Sequence, residues 1–147
     1  MLSSTCKYAI RGVIYIALYG ENSRKIGIRE ISEGLDIPTP FLGKILQTLA
    51  KNKLLNSTKG PNGGFSLAKP AKEINLLQII QIIDGLDLFN ECLIGLRSCS
   101  ANEHDDVQCP IHNKYLPISK QLYTMFENEN IEDMANQIKA SGGKISL

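Results

Sequence analysis

Residues 31 to 67, ISEGLDIPTPFLGKILQTLAKNKLLNSTKGPNGGFSL, constrain the fold more than any other stretch of the chain. Ile28, Ile31 and Leu35 fall at the i, i+3, i+7 spacing of a buried stripe and predict a short helix from Ile28 to Leu35. Asp36 follows where a turn needs a left-handed residue, a conformation Asp tolerates better than most. Thr39 then reads as an N-cap with Pro40 at the first helical position, where its missing N–H costs nothing. Phe41, Leu42, Ile45, Leu46 and Leu49 give the apolar face of a helix ending near Lys51. Two short helices about a four-residue turn predict a helix-turn-helix. Leu54 to Thr58 and Phe65 to Ala68 predict two strands around a tip where Gly60, Asn62, Gly63 and Gly64 supply positive φ and Pro61 adds stiffness. A helix-turn-helix followed by a basic-tipped hairpin is a winged helix, so the expected class is mainly α with a small β wing.

The flanking segments are helical by the same criteria. Ala9, Val13, Ile16 and Ala17 share one face of a helix from about Ser4 to Tyr19, capped by Ser3 or Ser4 and ended by Gly20. EINLLQIIQIIDG predicts a helix from its cap, Asn75, to Asp84 that is apolar on nearly every side. Such a helix must be buried all round, and in a chain of 147 residues that implies cover from a partner subunit. YLPISKQLYTMFENENIEDMANQIKA predicts a longer amphipathic helix carrying Leu116, Leu122, Tyr123 and Phe126, then a short one from Ile131 to Ile138. Pro117 requires the longer helix to start near Leu116 or to bend there, because an interior proline costs roughly 3 kcal/mol. The expected organisation is a winged-helix region over 1–72 and a region over 73–147 with the buried helix and a Cys/His loop, the two forming one compact domain.

The overall charge of +1 conceals an asymmetry. Residues 1–72 carry eleven Lys/Arg against four Asp/Glu, a net +7, whereas residues 73–147 carry five against eleven, a net −6. A basic front suits a polyanion, since phosphate neutralisation and counterion release supply most non-specific nucleic-acid affinity. The second helix of a helix-turn-helix lies in the major groove. Thr39, Pro40, Lys44, Gln47 and Thr48, with Lys51 a turn later, are therefore the expected groove residues. Gln47 can pair with adenine, and Lys44 can reach guanine or a phosphate. The wing tip, including Lys59, Asn62 and Gly63, would enter the minor groove, and Lys7 with the helix N-termini would contact phosphates. The competing reading is a winged helix used for protein contacts, which the basic front disfavours. No apolar run approaches the roughly 20 residues that cross a bilayer, and the N-terminus lacks a small-residue cleavage site. A cytoplasmic protein with no membrane partner is expected.

ECLIGLRSCSANEHDDVQCPIH, residues 91–112, holds three of the four cysteines and both histidines. In a reducing compartment a disulfide framework is disfavoured. Cys92, Cys99, Cys109 and His112, spaced Cys-x6-Cys-x9-Cys-x2-His, form a complete set of soft or borderline donors suited to zinc or an iron–sulfur cluster. Structural zinc sites usually approach as two close pairs, and only Cys109 and His112 are paired in that way. Spacing leaves cluster, zinc and thiol switch at comparable weight. Glu103, Asp105 and Asp106 read as solvating charges, and Cys6 as a packing residue.

The order STCKYAIRGVIYIA, ISEGLDIPTPFLGKILQTLAKNKLL, KGPNGGFSL, INLLQIIQIIDG and CPIH resembles the Rrf2 family of bacterial transcription regulators, from Leu2 to about Met134. The wing GPNGGF is the most specific part of the resemblance. The family implies a homodimer on palindromic double-stranded promoter DNA, with the helix after the cysteines in the dimer interface. It also implies an iron–sulfur centre on three cysteines. In the iron–sulfur assembly repressors the fourth ligand is a histidine in Cys-x2-His, which favours [2Fe–2S] on Cys92, Cys99, Cys109 and His112. Nitric-oxide sensors of the family instead take a carboxylate from the first helix, and residues 1–20 contain no Asp or Glu.

Three departures stand beside the match. The gaps between cysteines are six and nine residues where the family has near five, Lys53 replaces a common glycine, and Gly43 sits inside the recognition helix at about 1 kcal/mol relative to Ala. The resulting expectation is a DNA-binding regulator, not an enzyme, sensing redox or iron–sulfur status; no nucleophile–base pair, phosphate loop or cofactor fingerprint occurs. The alternatives are a cluster-free regulator using zinc or a thiol switch, and a winged helix acting through an enzyme partner such as one of cysteine biosynthesis.

Overall fold

In a computed structural model that describes residues 1–95 and 109–147, the first helix, α1 (Ser4–Tyr19), is capped by Ser3, whose side chain accepts from the Cys6 N–H. Cys6, Ala9, Val13 and Ile16 face the core, and Gly20 ends the helix. Gly12 is buried on the same helix because α1 lies directly on the next-but-one helix: a Cβ there would meet Leu46 Cδ2 at 3.1 Å. A 3-10 turn over Glu21–Ser23 leads to α2 (Ile28–Leu35), which ends on Asp36 in the expected left-handed conformation, φ 53°. The recognition element α3 (Thr39–Lys51) follows, with Leu42, Ile45, Leu46 and Leu49 buried.

The cap of α3 differs from the sequence expectation. Pro38 is the N-cap, Thr39 is already helical, and Pro40 lies one position further in. The Thr39 hydroxyl is drawn away from capping because it donates to Ser32 Oγ at 2.8 Å, and Ser32 in turn donates to the Ile37 carbonyl. These bonds close the turn between the two helices.

The wing comprises β1 (Leu55–Thr58) and β2 (Gly64–Leu67), antiparallel with Leu55 opposite Leu67 and Thr58 opposite Gly64. Ile26 pairs with Phe65 through both backbone bonds, so the buried Phe65 fastens the hairpin to the entry of α2. At the tip only Gly60 and Gly64 take positive φ; Gly63 does not, and its backbone instead closes on Gly60 through an N–H···O bond of 2.9 Å. Positive φ also occurs at Lys53 (61°), between α3 and the wing.

A 3-10 turn over Ala71–Glu73 precedes α4 (Leu76–Ile83). Asn75 caps α4 and Gln78 returns the bond, a complete capping box. Leu76, Leu77, Ile79 and Ile80 are buried, but Gln81 is exposed and Ile82 and Ile83 are half-buried, so α4 is not covered on every side within one chain. A four-residue helix, α5 (Asp87–Asn90), was not foreseen. The long helix α6 (His112–Asn128) begins before Leu116 and carries Pro117 inside it. Pro117 is tolerated because it lies on an exposed face near the start, where only one helical bond is forfeited. Finally α7 (Ile131–Ala140), capped by Asn130, packs on α1 and buries Ile131 and Ala135. Backbone bonds from Leu76 to Glu129 and from Ile131 to Ile74 join the starts of α4 and α7. Among the described residues no helix is long and apolar enough to cross a membrane.

Candidate nucleic-acid interface and metal site

With its apolar face buried, α3 exposes Pro40, Lys44, Gln47, Thr48 and Lys51 along the outside, while Thr39 is half-buried. Several of these side chains are already oriented. Gln47 Nε2 donates to Ser57 Oγ on β1 at 2.9 Å, which fixes the amide and leaves its second N–H and its carbonyl for a partner. Thr48 Oγ1 donates to the Lys44 carbonyl, so that hydroxyl proton is engaged within the helix. Lys59, Gly60, Pro61 and Asn62 are exposed at the wing tip, with Gly63 half-buried behind them.

Between α3 and the wing runs an open groove of about 730 Å³. Gly43 and Gln47 line its helical side, Ser57, Lys59 and Gly63 its wing side, and Gly27 and Arg29 the end where α2 begins. Lys44 and Thr48 line a separate cleft of about 210 Å³ on the opposite flank of α3, with Thr5, Phe41 and Ile83. Lys7 is exposed on α1 and lines neither. Sequence reasoning missed Arg29 and Ser57. The salt bridges among the described residues are Arg24–Glu30 and Lys139–Glu21, so Arg29 is not neutralised by an ion pair. No sequence signal marked it, since only folding brings the start of α2 beside the wing.

The second candidate site is at the start of α6. Cys92 follows α5 and is half-buried; Cys109 is 4% exposed; His112 is the first residue of α6, and its N–H donates to the Cys109 carbonyl at 2.9 Å. All three line one small cavity of about 40 Å³ whose wall includes Phe89, Glu91 and Ile111. Cys99 lies outside the described residues. Among the described residues no three His, Cys, Asp or Glu side chains come close enough together to hold a metal ion. Two thiols and an imidazole lining one cavity are the right donors for zinc or an iron–sulfur centre, and the set needs Cys99 to be complete.

Cys6 does not line that cavity. It is fully buried in the main core, and burial, reinforced by the charge of Asp84 and a hydrogen bond to it, pushes its thiol up to about 12. A thiol so raised is a poor nucleophile and a poor ligand, in keeping with a packing role.

Comparison with known proteins assigns the scaffold. Residues 2–137 match the Rrf2 family, described as iron-dependent transcriptional regulators. A protein of Aquifex aeolicus (strain VF5), provisionally named an HTH-type transcriptional regulator, is 34% identical over 136 residues, covering 92% of each chain. The HTH-type transcriptional regulator IscR of Pectobacterium atrosepticum is 27% identical over 135 residues, covering 92% of this chain and 79% of its own. In fold, the chain is similar to CymR, the global cysteine regulator of B. subtilis, with a TM-score of 0.76 at 16% identity over 93% of this chain and 97% of that one. It is likewise similar to T. potens IscR, with a TM-score of 0.73 at 16% identity over 100% and 93%. The winged helix, its exposed recognition face and the match over nearly the whole length place this chain in the Rrf2 family of DNA-binding transcription regulators, which are not enzymes.

Proposed function

We propose that the chain acts as a homodimer on palindromic promoter DNA and senses redox or iron–sulfur status through a centre on Cys92, Cys99, Cys109 and His112. The observation that carries this reading is the cavity shared by Cys92, Cys109 and His112 at the first turn of α6. That helix buries only Ser119 outright, while Ile118 and Met125, two turns apart on one face, are 54% and 46% exposed. An apolar strip of that kind on a 17-residue helix suits a second copy of the same helix. A cluster bound there would supply one-electron redox chemistry and reactivity toward oxidants. The chain's part is to hold the donors, with Phe89 and Ile111 in the cavity wall limiting water. Lys44, Gln47 and Lys51 are assigned to the major groove, the Lys59–Gly63 tip to the minor groove, and Lys7 to a phosphate.

Anaerobic purification with iron and sulfide analysis and a visible spectrum tests the centre. Coloured protein whose absorption is lost in Cys109→Ser and His112→Ala is expected; colourless protein with stoichiometric zinc overturns the cluster. Sedimentation tests the dimer: a monomer at micromolar concentration refutes it, and Ile118→Glu with Met125→Glu is expected to dissociate it. A cluster-free regulator is the second reading, favoured by the wide gaps of six and nine residues between the cysteines. It predicts operator binding indifferent to iron.

A further inference from the structure

Gly43 sits in the middle of α3, where glycine weakens the helix, yet nothing in the chain requires it. A Cβ built on Gly43 finds no atom within 4 Å, and no positive φ occurs there. Gly12 offers the contrast, since its Cβ would press on Leu46. The missing side chain at 43 therefore leaves an open notch in the surface that meets DNA.

The position of the notch says what occupies it. At 100° per residue, Pro40, Lys44, Gln47 and Lys51 centre on the outward face of α3, and Gly43 is rotated from them toward the wing. Consistently, Gly43 lines the groove between α3 and the wing, whereas Lys44 lines the cleft on the other flank. In a duplex the major groove and the adjacent minor groove are separated by one sugar–phosphate strand. A helix in the first and a wing tip in the second must straddle that strand. The groove that Gly43 floors is the space between those two elements, and it has Arg29 at one end and Lys59 on its wing side.

We propose that Gly43 is a DNA-positioning residue: its bare backbone lets the phosphodiester strand between the two grooves pack against α3, with Arg29 as a phosphate partner that the sequence did not reveal. This rests on α3 being the recognition helix. The contact goes to the strand, so it sets affinity and not base preference.

The test uses the full-length chain and an operator duplex enriched from a randomised library by the wild-type protein, beside a mixed-sequence duplex. Gly43→Ala is expected to raise Tm by about 2–4 °C through helix propensity. It is expected to weaken binding to both duplexes by roughly tenfold or more, the scale of a lost contact to a charged group. The selected base preference should stay unchanged. Arg29→Ala is expected to leave Tm in place and lower the salt slope of binding by about one. Raised Tm with unaltered affinity would overturn the proposal, making Gly43 an unconstrained helix position. A loss confined to particular base pairs would overturn it too, as direct base readout. Wild-type protein that enriches no duplex, or whose binding survives Lys44→Ala with Lys59→Ala, refutes the recognition-helix reading itself, an outcome separate from either.

Discussion

Asp84 stands at the wrong end of its own helix and the right end of another. As the C-cap of α4 its carboxylate meets the negative pole of that helix, while its oxygens accept from the backbone N–H and the hydroxyl of Ser3, the N-cap of α1. The Ser3 N–H bond is 2.8 Å, and the Ser3 hydroxyl oxygen also accepts from the Cys6 N–H at 3.0 Å. Removing the carboxylate costs the weak bond from the Cys6 thiol and two charge-assisted bonds from Ser3, the latter each nominally 1.5–3 kcal/mol, but at a site open to water the lower end applies. A gain of up to about 1 kcal/mol at the C-terminus of α4 offsets part of the loss. Asp84→Ala is therefore expected to destabilise by about 2 kcal/mol, and Ser3→Ala by about 1–2 kcal/mol through the cap and the shared bond. Urea unfolding of wild type, both single variants and the double variant, at one protomer concentration, measures the coupling between them. A coupling of about 1 kcal/mol is expected, with an unchanged m-value. Strictly additive losses, within about 0.3 kcal/mol, refute the bonded arrangement.

Two further outcomes follow from backbone strain and burial. Lys53→Gly relieves the positive φ of 61° between α3 and the wing without touching the Lys53 N–H bond to Ala50. It should stabilise by about 0.5–1 kcal/mol, read as a rise in Tm, whereas Lys53→Val should destabilise. The Cys6 thiol is raised from its ordinary 9.0 to about 12, so the folded state holds that proton more tightly than the unfolded chain. Its contribution is fully present below pH 9 and is lost as pH climbs from 9 toward 12. Stability should fall over that window more steeply in wild type than in Cys6→Ala; parallel curves would show that the thiol is not held as described.

Local chemistry made most of the fold legible. The Ser4–Tyr19 and Ile28–Leu35 helices and the left-handed Asp36 follow from spacing, caps and φ preference within a few residues. Misses came where a distant partner decided. Thr39 looked like a cap because Thr before Pro usually is one, but Ser32, seven residues earlier, claims its hydroxyl. The four-residue α5 has too little sequence for any periodicity, and its carbonyls at Leu88 and Phe89 are engaged by Tyr115 and Ser119 far along the chain. Pro117 called for a start near Leu116 or a bend; the helix starts earlier, at His112, and carries the proline on a solvent face that can lose one bond. The outward-facing residues of α3 were readable once its buried stripe was known; the place of Arg29 was not, because only folding brings the start of α2 beside the wing. Cys92, Cys109 and His112 were readable by chemistry alone, and nothing in their spacing dictated a shared cavity.

The bonds to α5 and Asp84 also define a physical route between the two candidate sites. His112 opens α6, whose Tyr115 hydroxyl donates to the Leu88 carbonyl at 2.8 Å and whose Ser119 hydroxyl donates to the Phe89 carbonyl at 3.1 Å. Four and five residues before those carbonyls, Asp84 grips Ser3 and the start of α1, and α1 rests through Gly12 on Leu42 and Leu46 of α3. The links are hydrogen bonds, core contacts and the short backbone stretches between them, so displacement of the first turn of α6 has a contiguous path to α3. Contiguity alone is not coupling, which must be measured as a change in one site's response when the link is cut. Under the proposed function, reconstituting the centre changes operator affinity by some factor in the wild-type chain. Asp84→Asn keeps the side-chain shape and removes the charge that holds Ser3, so it should bring that factor toward one while binding by the metal-free protein stays close to wild type. An unchanged factor would show that the signal bypasses Asp84 and reaches α3 by another course, such as the packing of α6 on α4 and of α4 on α3.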